Sequence, residues 1–218
     1  EAAEAAYHHF NSEKLKKKFD WVRSEFFLPD LQKQLIEDAR EIIKILKLGQ
    51  HWYPEQDRQL NALCDLITKT HGKEKVLVFT QFADTAGYLE RQLKDRGIEH
   101  LEMVSGDSES PTDSAHRFSP DSNDQVGIRG TSEEIRVLIS TDVLSEGQNL
   151  QDARIVVNYD LPWAIIRLIQ RAGRVDRIGQ KAEEILCYSF LPEDGIEEII
   201  KLRKRLKKRI SDNAEVVG

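Results

Sequence analysis

The fold class the sequence predicts is an open parallel α/β sheet flanked by helices and preceded by an extra helical segment. Three observations predict it. Short apolar, β-branched runs of strand length recur between residues 75 and 190. Between them lie segments of helical period, the alternation that gives a parallel sheet with right-handed crossovers. The runs also end in small polar residues, as strands do where an open sheet gathers its ligands.

The elements follow in order. Residues 1–50 read as helical and carry no strand signal. In "DLQKQLIEDAREIIKILKLG", Asp30 follows Pro29 as an N-cap and Gly49 is a stop, with Leu31, Leu35, Ile42 and Leu46 on the apolar side. "HWYPEQ" breaks the chain. A second helix turns Leu60, Leu63, Cys64 and Ile67 inward and ends at Gly72. "KVLVFT" (75–80) is too short and too β-branched for a helix and suits a buried parallel strand. A helix over 83–96 closes at Gly97, and "EHLEMV" is a second strand. "RVLIST" (136–141), "RIVVNY" (154–159) and "EILCYSF" (184–190) repeat the strand type. "SPDSNDQVGIRGTSEE" (119–134) has no period and predicts a mobile surface loop. "GIEEIIKLRKRLKKRI" predicts a helix with a basic face. The expected division is a helical segment over 1–54, an α/β domain over 55–192, and a basic helix and tail over 193–218.

Composition narrows the function. The 218 residues are 39% hydrophobic and 32% charged, with a net charge of −6. That argues against nucleic-acid binding through bulk charge while leaving room for a local basic patch. Cys64 and Cys187 fit buried small hydrophobes in a reducing compartment better than a disulfide framework. No apolar run reaches the roughly 20 residues of a membrane span. With no initial Met and a single Met103, the chain reads as a piece of a longer polypeptide.

"RLIQRAGRVDRIGQ" (167–180) raises the central chemical question. If 163–173 is helical, Arg167, Arg171 and Arg174 share one face at i, i+4 and i+7, and Arg177 follows beyond Gly173. Ile165, Leu168, Ile169, Ala172 and Val175 form the opposite face, which suits a core. A buried side and a guanidinium row together await an anion. The strand ends "FTQF", "STDVLSEGQNL" and "NYDLPW" supply hydroxyls and amides near it. Ser140 and Thr141 end a strand, where hydroxyls and free N–H groups can hold a phosphate oxygen, and Gly147 lets the backbone approach closely. A GxxxxGK[ST] phosphate loop, an Asp-Glu pair ending a strand, a GxSxG elbow and an HExxH pair are all missing from the sequence. Six scattered histidines and two distant cysteines make no metal set, so the expected metal ligands of this segment are none.

Together these segments resemble the second, C-terminal RecA-like lobe of a superfamily-two helicase or translocase, over roughly residues 57–192. "VLVFTQF" resembles motif IV, "VLISTDVLSEGQNLQDARIVVNYDLPW" motif V and the strand after it, and "QRAGRVDRIGQ" motif VI. The "DRIGQ" ending resembles Swi/Snf-type ATPases, and "DVLSEGQNLQ" with "NYDLPW" the bacterial branches that include RNA-polymerase-associated remodelling ATPases. The resemblance implies ATP and Mg²⁺ gripped by a missing first lobe of the same polypeptide. Arg174 and Arg177 then stand as arginine fingers, with Gln170, Gly147, Asn149 and Arg171 toward the nucleotide. Thr80, Gln81, Ser105, Ser140 and Thr141 become candidates for a nucleic-acid backbone, with duplex DNA the expected polymer and RNA polymerase or another DNA-bound complex a possible partner. It also implies a cytoplasmic, nucleoid-associated bacterial protein.

Two departures stand out. Trp163-Ala164-Ile165 stands where eukaryotic Swi/Snf members usually read Trp-Asn-Pro, and "DSESPTDSAHRF" after Gly106 lacks a clear match to the usual GST-type motif with its downstream Arg. The alternatives are an RNA helicase lobe of the same superfamily and a non-catalytic protein-docking module. In the translocase reading the isolated chain is expected to be inactive as an ATPase, because one lobe holds only half the site.

Overall fold

The computed structural model describes residues 8–9, 22–49, 53–144, 148–162 and 164–191. The expected basic helix over 193–218, Gly147 and most of residues 1–21 lie outside the described residues. The chain divides into two compact units, Glu1–Trp52 and Tyr53–Gly218. The first contains helix α1, Leu31–Leu48, which ends where Gly49 donates its N–H to the carbonyls of Ile45 and Lys47. Asp30 stands at the N-cap, but its side chain makes no capping hydrogen bond, and no residue of α1 is buried.

The second unit is built on five strands: β1 (Val76–Phe79), β2 (Leu101–Val104), β3 (Val137–Ser140), β4 (Ile155–Asn158) and β5 (Leu186–Ser189). Every neighbouring pair is parallel, in the order β2-β3-β1-β4-β5. Val76 lies opposite Val137 on one side and Ile155 on the other. The three inner strands are buried at every position, which is why they read as unbroken apolar runs and not as alternating ones.

Around the sheet lie α2 (Arg58–Asp65), α3 (Ala83–Asp95), α4 (Pro111–Phe118) and α5 (Ile165–Ala172). Asp57 caps α2, its Oδ1 accepting from the N–H groups of Gln59 and Leu60 at 3.0 Å each. The helix then widens into a five-residue π turn, Leu66–Thr70. Beyond α3 the chain reverses at Gly97, whose φ of +79° suits a residue without a Cβ. None of the described helices is long and apolar enough to cross a membrane.

The strands' period of two sorts the core into two layers. Val76, Val78, Val137, Ile139, Ile155 and Val157 pack with Leu60, Leu63 and Ile67 from α2 and its extension, and with Ala86, Leu89 and Leu93 from α3. The alternate residues Leu77, Phe79, Leu138 and Val156 pack on the other face with Ala115 and Phe118 of α4, and with Leu144, Leu150 and Val175. Each large side chain fully buried there contributes about 1.5–3 kcal/mol.

The stretch 119–134, expected to be a mobile surface loop, is tied down where it begins. Asp152 accepts from the N–H groups of Asp121 (2.8 Å) and Ser122 (3.0 Å) and from the Ser122 hydroxyl. Asn123 donates to the carbonyls of Ser119 and Asn149, both at 2.8 Å. At the amino ends of the strands, His71 is buried between Glu74 (2.6 Å) and the Tyr188 hydroxyl (2.9 Å). The hydrogen bond from His71, with help from Arg154, holds the Glu74 carboxyl below its ordinary 4.5 despite the opposing effect of burial.

Candidate functional site

The carboxyl end of β1, the chain just beyond β3 and helix α5 converge on one cavity of about 240 Å³. It is lined by Phe79, Asp142, Leu144, Arg167, Gln170, Arg171 and Arg174. Phe79 ends β1, Asp142 stands two residues beyond β3, and the three arginines come from α5 and the turn after it. Four-residue strands of apolar residues stop where polar ones begin, and that boundary puts Asp142, Asn158 and Asp160 at one end of the sheet.

The arginines are not a uniform solvent-facing row. Arg171 is only 2% exposed. Its Nε donates to Asp142 Oδ1 (2.9 Å), its Nη2 to Asp142 Oδ2 (3.3 Å) and its Nη1 to Asn158 Oδ1 (3.0 Å), and its guanidinium lies 5.2 Å from the centre of the Phe79 ring. Arg167 donates to the same Asp142 carboxylate at 2.9 Å. Conversely Ile166 and Ile169 are 56% and 51% exposed. The expected division of this helix into a buried apolar side and a guanidinium row is therefore corrected: Arg171 belongs to the core side and Ile169 does not. A planar guanidinium can be buried when a carboxylate and an aromatic face receive it, and helical spacing alone does not report that.

Arg174 is different. Partly buried in the wall of the cavity, its side chain makes no hydrogen bond or ion pair among the described residues, and neither does the side chain of Gln170 beside it. Arg177 is engaged with backbone: its Nε donates to the Gly173 carbonyl (3.2 Å) and its Nη1 to the Gln148 carbonyl (3.0 Å). Asn149 is turned toward the 119–134 segment, where its amide donates to the Ser122 carbonyl at 3.1 Å; it is not among the residues lining the cavity.

The candidates for backbone contact scatter. Thr80 is fully buried and its hydroxyl donates to Asp160, while Ser140 is fully buried and donates to the Thr141 carbonyl. In this structure both hydroxyls are buried and engaged with partners inside the lobe. Thr141 and Ser105 are also buried, Ser105 accepting from the Asp107 N–H. Gln81 remains partly exposed. Its backbone N–H is held by the Asp160 carboxylate and its side chain reaches the Leu161 carbonyl at 3.5 Å. Asp142, Asn158 and Asp160, which do most of this holding, were not singled out from sequence; their only signal is that each follows or ends an apolar run.

A larger cavity of about 560 Å³ opens at the amino ends of the strands, but its acidic groups Glu74, Glu134 and Asp152 are already engaged. Among the described residues no three His, Cys, Asp or Glu side chains gather as metal ligands would.

A five-stranded parallel sheet with flanking helices and arginines gathered at its strand ends defines a RecA-like lobe. The C-terminal part of the Fun30 ATPase domain shares this fold, with a TM-score of 0.54 at 22% identity over 78% of this chain and 52% of that one. Residues 58–179 match the helicase conserved C-terminal domain, and the chain belongs to that family. It is similar to the ATP-dependent helicase YqhH of Bacillus subtilis, 34% identical over 164 residues, 75% of this chain and 26% of the relative. It is also similar to the RNA polymerase-associated protein RapA of Vibrio cholerae, 35% identical over 138 residues (63% of this chain, 13% of RapA). A third relative is the ATP-dependent RNA helicase DBP8 of Kluyveromyces lactis, 29% identical over 183 residues (82% and 38%). The chain thus spans between about an eighth and two fifths of these curated relatives.

Proposed function

We propose that this chain is the second motor lobe of a Swi/Snf-type bacterial translocase that uses ATP to move along duplex DNA. The first lobe of the same polypeptide would hold ATP and Mg²⁺, and this lobe would supply Arg174 and Arg177 to the γ-phosphate. The observation that carries the reading is the inequality among the arginines. Asp142 pairs with both Arg167 and Arg171, while Arg174 lines the same cavity with no side-chain partner among the described residues. Phosphoryl transfer passes through a loose transition state with charge spread over the transferred oxygens, and a rigidly held guanidinium there is worth roughly 10³–10⁵ in rate. Gln170 lines the cavity beside Arg174 and would sense the nucleotide across the cleft; Gly147 and Asn149 would shape the turn that faces it.

Gln81 is the side chain best placed to touch a nucleic-acid backbone, a contact without sequence information and sensitive to salt. The similarity to RapA supports a polymerase-bound or nucleoid setting in the bacterial cytoplasm. The similarity to DBP8 supports a second reading, an RNA helicase.

The test is ATP turnover by the full-length protein with duplex DNA, single-stranded DNA or RNA. Duplex DNA is expected to stimulate it, and Arg174→Ala to lower kcat by about 10³–10⁵, with Arg177→Ala also impaired. Stimulation by RNA alone would favour the second reading. An Arg174→Ala protein with wild-type kcat would remove the finger role.

A further inference from the structure

The turn that carries Arg174 and Arg177 hangs between α5 and β5 and has little regular structure of its own: Val175 and Asp176 both donate to the Ala172 carbonyl. Two glutamines hold it. Gln180 Nε2 donates to the Val175 carbonyl at 3.0 Å and to the Ala153 carbonyl at 2.9 Å, and its Oε1 accepts from the Ala182 N–H at 2.9 Å. Its backbone N–H donates to the Arg177 carbonyl at 3.0 Å. Gln151 Nε2 donates to the Ile178 carbonyl at 3.1 Å. Gly179, with φ of +101°, makes the reversal that returns Gln180 toward the turn.

The chemistry of this cluster selects its residue. The Gln180 amide spends both its N–H donors and its acceptor, so its orientation is fixed by its partners. A carboxylate of the same length would face two carbonyl oxygens, and an ammonium could not accept from Ala182. Ala153 lies two residues before β4, whose residues are all buried. Val175, the residue after Arg174, has a fully buried side chain as well. Gln180 therefore ties the Val175–Asp176 peptide, one residue beyond Arg174, to the segment that enters β4.

We infer that Gln180 is a positioning residue for phosphoryl transfer, assisted by Gln151, which fixes the arginine turn to the start of β4 so that Arg174 is held at a set height over the cavity. This inference rests on the arginine-finger reading above. It predicts that loosening the turn lowers kcat and spares ATP binding, because the finger acts on the transition state.

The experiment is steady-state ATP turnover by the full-length protein, stimulated by its nucleic acid, for Gln180→Leu, Gln180→Glu, Arg174→Ala and the double variant Gln180→Leu/Arg174→Ala. Gln180→Leu is expected to lower kcat by about 10²-fold, the cost of misplacing a catalytic group by roughly 1 Å, with KM for ATP within about twofold. Gln180→Glu is expected to show the same split. The double variant should be nearly as active as Arg174→Ala alone, since the clamp acts through the finger. If Arg174→Ala collapses turnover while Gln180→Leu keeps wild-type kcat, the positioning role is overturned and the finger stands. If Arg174→Ala keeps wild-type kcat, the finger reading itself fails. Losses that multiply in the double variant, or loss of folding in both Gln180 variants, assign Gln180 to general stability and overturn the inference.

Discussion

Arg171 is a guanidinium in a nearly dry place, and Asp142 makes that placement tolerable. Breaking a fully buried ion pair costs about 3–5 kcal/mol because the surviving charge is stranded. Asp142 is a third exposed, and Arg171 would keep its bond to Asn158. Asp142→Ala is therefore expected to cost about 2 kcal/mol, read as a lower denaturant midpoint at unchanged slope. An unchanged midpoint would mean that Phe79 and Asn158 hold Arg171 unaided. None of this was legible in the i, i+4, i+7 spacing. The groups that bury Arg171 come from β1 and β4, and only the sheet brings them to α5. The freedom of Arg174 was equally hidden, because it depends on where Asp142 is and not on any neighbour in sequence.

Among the elements, α1 and α2 begin alike in sequence, each after an aspartate, and differ in structure. Asp57 caps α2 through two backbone N–H groups and also accepts from the Tyr88 hydroxyl at 3.0 Å. Asp30 makes no capping bond to α1. Asp57→Ala is expected to destabilise the second unit by about 1–2 kcal/mol, and Asp30→Ala to change stability by less than about 0.5 kcal/mol. Chemical denaturation of the two variants would check the pair; equal effects would show that the Asp57 bonds contribute nothing. All five strands were legible, each within two residues of its position, because a β-branched apolar run bounded by charge has few other fates. The helix α4 was not. Its inward residues are Ser114, Ala115 and Phe118, too few and too small to give a helical period. The anchoring of 119–134 depends on Asp152, some thirty residues away, and composition alone predicts a loose loop there.

At the scale of the whole molecule, the proposed function makes the second unit one face of a site. Arg174 faces a cavity that has three arginines, one carboxylate and an amide but, among the described residues, no phosphate-gripping loop and no metal-ligand set. The purified 218-residue chain is accordingly expected to show no ATP turnover above background with Mg²⁺ and duplex DNA. Turnover that Arg174→Ala abolishes would mean that this chain holds a complete site. The strand order has a consequence of another kind. β1 is the first strand of this sheet to be synthesised, yet it occupies the middle of the sheet, and its partners begin at Val137 and Ile155. At the usual synthesis rate of about 5–20 residues per second, the roughly sixty residues to its first partner take about 3–12 seconds. For that interval the Val-Leu-Val-Phe segment has neither of its sheet neighbours available, so its edges wait on strands that are still to be translated.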